Sequence, residues 1–427
     1  MKKSLLFAFL VGSMLLAACA PATPAAEAPA AEAPAAEAPA AEAPAAEAPA
    51  AEMPAGEPEV CAADLGCAVI KAGETIKIGY AGPMTGDYSQ FGIDMSHAME
   101  LAVADAGQFE GFSFELVAED DLASAEGAAA VANKLITDPT FVAMAGHAFS
   151  GATAAAMVIY DAAGIPMLSP SATNPDLTKA GTSVFNRNAF TDAQQAAGAG
   201  AYLYDTLGKR TLALLHDGTD YGQGLANGVR EVFEAKGGTV VSFDAITPGE
   251  SDYSAPLAAI SSFAPDAIYY GGYNAEAAVM VNQLKVAGLE GVTFFSGDGI
   301  YGKDFLTKAG VNGEGVYCAT LNPATSPAIE AFNAAYKAAY GEEAGVLSAY
   351  TWNSYDAASA LIATVKSVAI LQDGTLYVPR AELVAAVRGI TGYEGIAGVI
   401  TCQADGECNA SGPVFYVVKD GVWVPAE

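Results

Sequence analysis

The sequence predicts an α/β protein of two lobes, each built on a parallel sheet, and three observations carry that prediction. From Glu74 onward, short β-branched runs alternate with Ala-rich helical segments, the pattern of parallel sheets covered by helices. Long polar passages break this rhythm twice, so the units do not space evenly as one closed barrel would require. With 427 residues, the chain can build two ordinary domains after a leader and linker are set aside.

The strand candidates in order are "TIKIGYAG", "FSFELVAE", "FVAMAG", "IPMLS", "TLALLHD", "TVVSFDAI", "AIYYGGY" and "VTFFSGDG". Between them, apolar residues recur at helical spacing: Met95, Ala98, Met99, Ala102 and Ala106 share one face, as do Ala128, Val131, Ala132 and Leu135. The first break, "SATNPDLTKAGTSVFNRNAFTDAQQ", has no apolar strand of its own. The second follows "YCATLNPATSP" and leads into long helices over residues 329–340 and about 348–367. The end, "GVITCQADGEC…GPVFYVVKDGVWVP", alternates apolar and polar residues around glycine turns, as a hairpin does. A chain that leaves one lobe, builds another and returns makes a lobe from discontinuous segments: 74–190 with 321–400, and 191–320 with 401–427.

The amino-terminal stretch "MKKSLLFAFLVGSMLLAAC" reads as a secretory leader over 1–18, with Lys2 and Lys3 before an apolar core from Leu5 to Leu16 and small residues before Cys19. That core is too short to be a spanning helix. "LAAC" is similar to the lipobox of bacterial lipoproteins, which implies a diacylglycerol on Cys19 and a membrane anchor. Residues 19–60 repeat "APAAE" with nothing to bury, and Pro and Glu favour an extended tether. A lead-in, 61–73, contains Cys61 and Cys67; Cys402 and Cys408 form a second short-range pair. In an exported protein these predict two local disulfides rather than a zinc site, because the spacing is wide and the pairs lie at opposite ends of the body. Cys318, in "GVYCATL", reads as a buried thiol.

Charge and motifs narrow the function. Lys plus Arg number 19 against 49 Asp plus Glu, a formal charge of -30. That balance excludes a phosphate backbone or an anionic lipid surface as the target. No Walker A, HExxH or GxSxG pattern occurs, and neither a cofactor nor a catalytic residue is indicated. His147 and Ser150 share a loop, without a third group to orient them.

Ligand chemistry is indicated at the loops after strands. In "FVAMAGHAFSGATAAAM", Ser150 stands near a helix N-cap where free N–H groups attract a carboxylate. In "LSPSATNPDLT", Pro170 and Pro175 fix the backbone around Ser171 and Thr173. "IYYGGYNAE" ends a strand at Tyr273, and "FFSGDG" puts Asp298 between glycines. Read locally, each of these is as compatible with a cap or turn as with a site.

Taken together, "IGYAGPMTGDYSQFG", "VANKLITD", "SPSATNPDLT", "HDGTDYGQGLANGV", "ITPGESDYSAPLAAI" and "YYGGYNAEAAVMVNQLKVAGL" resemble, in order and spacing, the leucine/isoleucine/valine-binding receptors of bacterial ABC importers. The resemblance implies the type I periplasmic binding protein fold: two Rossmann-like lobes joined by a three-crossover hinge. It implies a monomeric extracytoplasmic receptor that captures a small amino acid, branched-chain or otherwise apolar, by cleft closure and hands it to a membrane permease. It places the ligand carboxylate on Ser150, Ser171 and Thr173, the ammonium on Tyr273 and Asp298, and the side chain against Phe91, Tyr350 and Tyr221. A sensor module, or a receptor for short amides, urea or small carboxylates, is the alternative. The chain departs from the pattern in carrying Asp298 where Glu is usual, a hydroxyl on Tyr350, and Ala123 and Phe149 where the relatives have a disulfide.

Overall fold

The computed structural model describes residues 56–321, 325–408 and 412–426. Cys19, the leader and most of the expected tether lie outside these residues. The first half of the body runs β1 (Cys67–Ile70), β2 (Ile76–Gly82), α1 (Ser89–Ala106), β3 (Gln108–Phe109), β4 (Phe112–Asp120), α2 (Ala125–Leu135), β5 (Phe141–Met144), α3 (Ser150–Ala163), β6 (Met167–Ser169) and β7 (Phe185–Arg187). Six of these strands form one sheet in the order β3-β4-β2-β5-β6-β7, parallel except for the β3 edge.

The chain then builds α4 (Asp192–Ala201), β8 (Thr211–His216), α5 (Asp220–Ala235), β9 (Thr239–Ala245), α6 (Ser254–Ser261), β10 (Ala267–Gly271), α7 (Asn274–Gln283), β11 (Thr293–Ser296), α8 (Lys303–Ala309) and β12 (Tyr317–Thr320). It returns through α9 (Pro327–Tyr340), α10 (Thr351–Val368), β13 (Ile370–Gln372), β14 (Thr375–Pro379), α11 (Arg380–Arg388), β15 (Tyr393–Glu394) and β16 (Val399–Ile400), with α9 and α10 packed on α1. The hairpin β17 (Val414–Lys419) and β18 (Val422–Pro425) closes a second sheet in the order β18-β17-β12-β11-β10-β8-β9. Five of its strands are parallel, and the hairpin adds antiparallel to β12. All eight strand candidates read from the sequence are strands.

Both faces of the second sheet are buried, as a helix-covered parallel sheet requires. Along β8, Leu212 and Leu214 pack into the core shared with the first lobe, while Ala213 and Leu215 pack into a separate core with Ile268 and Tyr270. The result is two layered lobes, crossed by the chain after β7, after β12 and after β16.

Two sequence expectations change. The passage 171–195 contains a strand after all, β7, which adds parallel to β6. Its Asn186 and Arg187 are fully buried, so it lacks the apolar pattern of a strand. Arg187 is held by a bidentate pair with Glu407, with Nε 2.9 Å from Oε2, and donates to the Ala172 and Asn174 carbonyls at 2.9 and 2.7 Å. Residues 402–408, expected in the second lobe, instead dock on the first sheet's edge: Arg187 N donates to the Gly406 carbonyl at 3.0 Å, and Cys408 N to that of Arg187 at 2.9 Å. The chain joins the second sheet only at Val414. The reason is Glu407, which neutralises the fully buried Arg187 guanidinium.

Cys61 is bonded to Cys67 and Cys402 to Cys408; Cys318 is a free, buried thiol whose pKa burial pushes up. The first pair sits beside β1, which joins β14 and β13 in a small separate sheet. No helix among the described residues is long and apolar enough to cross a membrane.

Candidate functional site

In an open parallel sheet, ligand-contacting loops gather where the strand order reverses. That point lies between β2 and β5 in the first sheet and between β8 and β10 in the second. Phe91 follows β2, Ser150 follows β5, and Ser171 and Thr173 follow β6; from the other lobe Tyr221 follows β8, Tyr273 follows β10 and Asp298 follows β11. Tyr350 immediately precedes α10. These eight residues line one cavity, with Met95, Ala148, Phe149 and Gly299 completing its wall. Loop position named Ser150, Ser171, Thr173, Tyr273 and Asp298, and the family resemblance added Phe91, Tyr221 and Tyr350; tertiary structure brings the eight together.

The first lobe contributes neutral hydrogen-bonding groups. Phe149, not Ser150, is the N-cap of α3; Ser150 is the first helical residue, and its Oγ accepts from Asn174 N at 3.2 Å. Ser171 is already committed, since its Oγ donates to the Ala148 carbonyl at 2.7 Å. Thr173 is buried, and its Oγ1 has no partner of hydrogen-bonding geometry. Ser171 thus ties the loop to the strand beside it.

The second lobe contributes buried charge. Asp298 is 5% exposed, and its Oδ1 accepts from Gln195 Nε2 at 2.6 Å and from the Tyr221 hydroxyl at 3.0 Å. Its Oδ2 accepts from the Tyr350 hydroxyl at 2.6 Å. Tyr350, expected as a side-chain wall carrying an added hydroxyl, places that hydroxyl on the acid and spans the two lobes. Burial raises the Asp298 pKa, and the three donors hold it back. Gln195 also accepts from Asp298 N at 2.9 Å and so clamps the acid at two points.

Behind Asp298 lies a second carboxylate that the sequence reading missed. Asp192, at the start of α4, is 2% exposed, and neither oxygen has a partner of hydrogen-bonding geometry. Burial first, and then the Asp298 charge, pushes its pKa well above the usual carboxylate range. Its local signal was "TDAQQ", whose Thr191 and Gln194 form a capping box. That motif announces a helix start, and nothing in it announces proximity to an acid over a hundred positions away.

Aromatic rings fill the rest. Phe149 and Tyr273 stack at 4.4 Å and 11° across the lobes; Tyr88 packs on Tyr273 at 5.1 Å, and Phe91 meets Phe149 edge-on at 5.8 Å. Around this centre the lobes hold each other through Tyr88 OH to Glu276 Oε1 at 2.9 Å and Asn174 Nδ2 to the Asp220 carbonyl at 2.6 Å. Asp94 braces the approach to Tyr350 from behind, accepting from Tyr336, Ser348 and Thr351 at 2.6 to 2.7 Å.

Nucleophilic chemistry at Ser150 finds no support in this geometry. His147 has Nδ1 2.9 Å from Asp121 Oδ2 and Nε2 3.3 Å from the Tyr160 hydroxyl, so both ring nitrogens are engaged away from Ser150.

The comparisons with known proteins agree with this architecture. Residues 75–421 match the family described as periplasmic binding protein. The Leu/Ile/Val-binding protein of Escherichia coli (strain K12) is 32% identical over 296 residues, covering 67% of this chain and 78% of the relative. Among solved structures, a leucine-binding protein LivK from Thermotoga maritima superposes with a TM-score of 0.75 at 28% identity, covering 83% of this chain and 98% of that one. The branched-chain amino acid transporter substrate-binding protein LivJ from Streptococcus pneumoniae, solved in complex with isoleucine, gives 0.73 at 28% identity and covers 82% and 98%. With its paired doubly wound lobes, three crossovers and interlobe cavity, this chain belongs to the type I periplasmic binding proteins, the extracytoplasmic substrate-binding receptors.

Proposed function

We propose that the protein captures an α-amino acid with an apolar side chain and delivers it to an ABC import permease. One observation carries the ligand class: a buried, hydrogen-bonded carboxylate, Asp298, faces the neutral donors of Ser150 and Thr173 across a single cavity. A zwitterion satisfies both sides at once, its ammonium against Asp298 and Tyr273 and its carboxylate against the hydroxyls and the α3 N-terminus. The second acid, Asp192, strengthens the case, because two neighbouring buried carboxylates repel and a cation relieves them. The isoleucine-bound relative and the leucine/isoleucine/valine-binding relatives support the same class.

The ligand acts by bridging. It contacts both lobes, so it binds the closed arrangement better than an open one and shifts the hinge equilibrium toward closure. Recognition of the closed form by the permease then needs no covalent step, and no residue here is assigned a catalytic role. We further read the chain as a monomer held at the membrane by a lipid on Cys19, on the strength of "LAAC" and the repeat that follows it. Cys19→Ala then releases the protein from the membrane fraction.

Titration calorimetry over the amino acids, acetamide, urea and acetate tests the ligand class. Binding of apolar amino acids, with N-acetylated forms inactive, is the expected result. Binding of amides or simple carboxylates with no amino acid active would overturn the zwitterion reading.

A further inference from the structure

Thr173 stands between two backbone carbonyls, those of Ala172 and Asn174, that are held by one and the same atom. Arg187 Nη1 donates to the first at 2.9 Å and to the second at 2.7 Å. Asn174 is fixed through its other groups as well: its N donates to Ser150 Oγ at 3.2 Å, its Nδ2 donates to the Asp220 carbonyl of the second lobe at 2.6 Å, and its Oδ1 accepts from Asp176 N at 2.8 Å. The guanidinium therefore fixes the backbone that carries Thr173 and, through Asn174, touches Ser150.

A fully buried guanidinium keeps such a place only with a carboxylate against it. That carboxylate is Glu407, which accepts from Arg187 Nε and Nη2 and from the Thr178 hydroxyl. Glu407 arrives from the third crossover, after β16, on a loop closed by the Cys402–Cys408 disulfide.

We propose that Arg187 and Glu407 are positioning residues for ligand binding: the pair holds the backbone of 172–174 in the conformation that presents the Thr173 hydroxyl to the ligand carboxylate. Both act from outside the cavity wall, which includes Ser150 and Thr173. This rests on the amino-acid reading above and adds what keeps its donor half in place. Glu407→Gln leaves a buried cation without its counter-charge, so the guanidinium shifts and its hold on the two carbonyls loosens.

The test is a double-mutant cycle on the full chain, read by calorimetry with leucine or whichever apolar amino acid binds the parent best. Thr173→Ala is expected to weaken binding about fivefold in the parent, and Glu407→Gln about tenfold. On the Glu407→Gln background, Thr173→Ala is expected to add less than about twofold, because the displaced hydroxyl has already stopped contributing. A general loss of stability would lower the melting temperature and leave the Thr173 increment at about fivefold. Cys402→Ser with Cys408→Ser frees the Glu407 loop while keeping the charge pair, and it repeats the cycle should Glu407→Gln fold poorly. Losses that simply multiply, or a ligand held within about twofold by Glu407→Gln, overturn the inference and leave the amino-acid reading standing. If no apolar amino acid binds the parent, both fall.

Discussion

The two halves of the site are built on different principles. The first lobe offers hydroxyls and the N-terminus of α3, neutral groups that survive burial because nearby backbone atoms satisfy them: Ser171 gives its proton to Ala148, and Ser150 accepts from Asn174. The second lobe offers a carboxylate, which survives burial only because Gln195, Tyr221 and Tyr350 converge on it. One of those donors belongs to the opposite side of the cleft. The donor half is thus complete within one lobe, whereas the acceptor half is finished only when the lobes meet.

The comparison can be broken most severely at the acid. Asp298→Asn keeps the shape but removes the charge opposite the ammonium; an amino-acid affinity loss of about 100-fold, or about 3 kcal/mol, is expected by calorimetry. A loss below about threefold would remove Asp298 from the ammonium role. Tyr350→Phe deletes the donor that crosses the cleft, and an affinity loss of about tenfold is expected, with faster dissociation in stopped-flow displacement. Small-angle scattering should show this variant opened relative to the parent at equal ligand occupancy.

Smaller effects belong to the donor half. Ser150→Ala or Thr173→Ala removes one neutral hydrogen bond of about 1 kcal/mol, so about fivefold weaker binding is expected for each. A loss at either equal to that of Asp298→Asn would mean that the two halves are not energetically distinct. The pH dependence sharpens the same contrast. Burial raises Asp298 and Asp192, and an ammonium favours their ionised forms, so amino-acid binding releases protons and weakens as pH falls. Calorimetry in two buffers of different ionisation heat measures that release.

The smallest expected effect is on stability without ligand. Burial lifts Asp94 and Asp217 to about 6 and Asp356 to about 7, all above the unfolded value of 3.8. For a group raised on folding, the stabilising contribution is complete below the unfolded pKa and is lost as pH climbs through the folded one. These three therefore favour a higher melting temperature at pH 5 than at pH 8, by a few degrees. Asp120, Asp138 and Asp266 are lowered by their hydrogen bonds and act oppositely, losing their contribution only as pH falls below the ordinary carboxylate range. Differential scanning calorimetry across this range reads the sign directly.

Legibility followed whether a residue's reason was local. Strands such as β8 and β10 are visible because both faces are buried and their interior positions, Leu212 to Leu215 and Ile268 to Tyr270, are apolar or aromatic. β7 is not, because its interior positions are Asn186 and Arg187, and the groups that make their burial tolerable, Arg388 and Glu407, arrive from over two hundred positions later. The site shows the same division. Ser150, Thr173, Tyr273 and Asp298 announce themselves by standing where a strand ends. Asp192, Gln195 and Phe149 stand in equally ordinary surroundings, and become part of the site only through distant residues, Asp298 for the first two and Tyr273 for Phe149.

The sequence by itself determined the alternation of strand and helix, the two breaks where the chain changes lobe, and the chemical types at the strand ends, because periodicity and turn chemistry act within a few residues. Tertiary structure alone decided that Tyr350 reaches Asp298, that Glu407 closes on Arg187 and that Phe149 stacks on Tyr273. Each of those pairs joins residues far apart in the chain, and the burial that makes its charge or ring consequential exists only once the chain has folded.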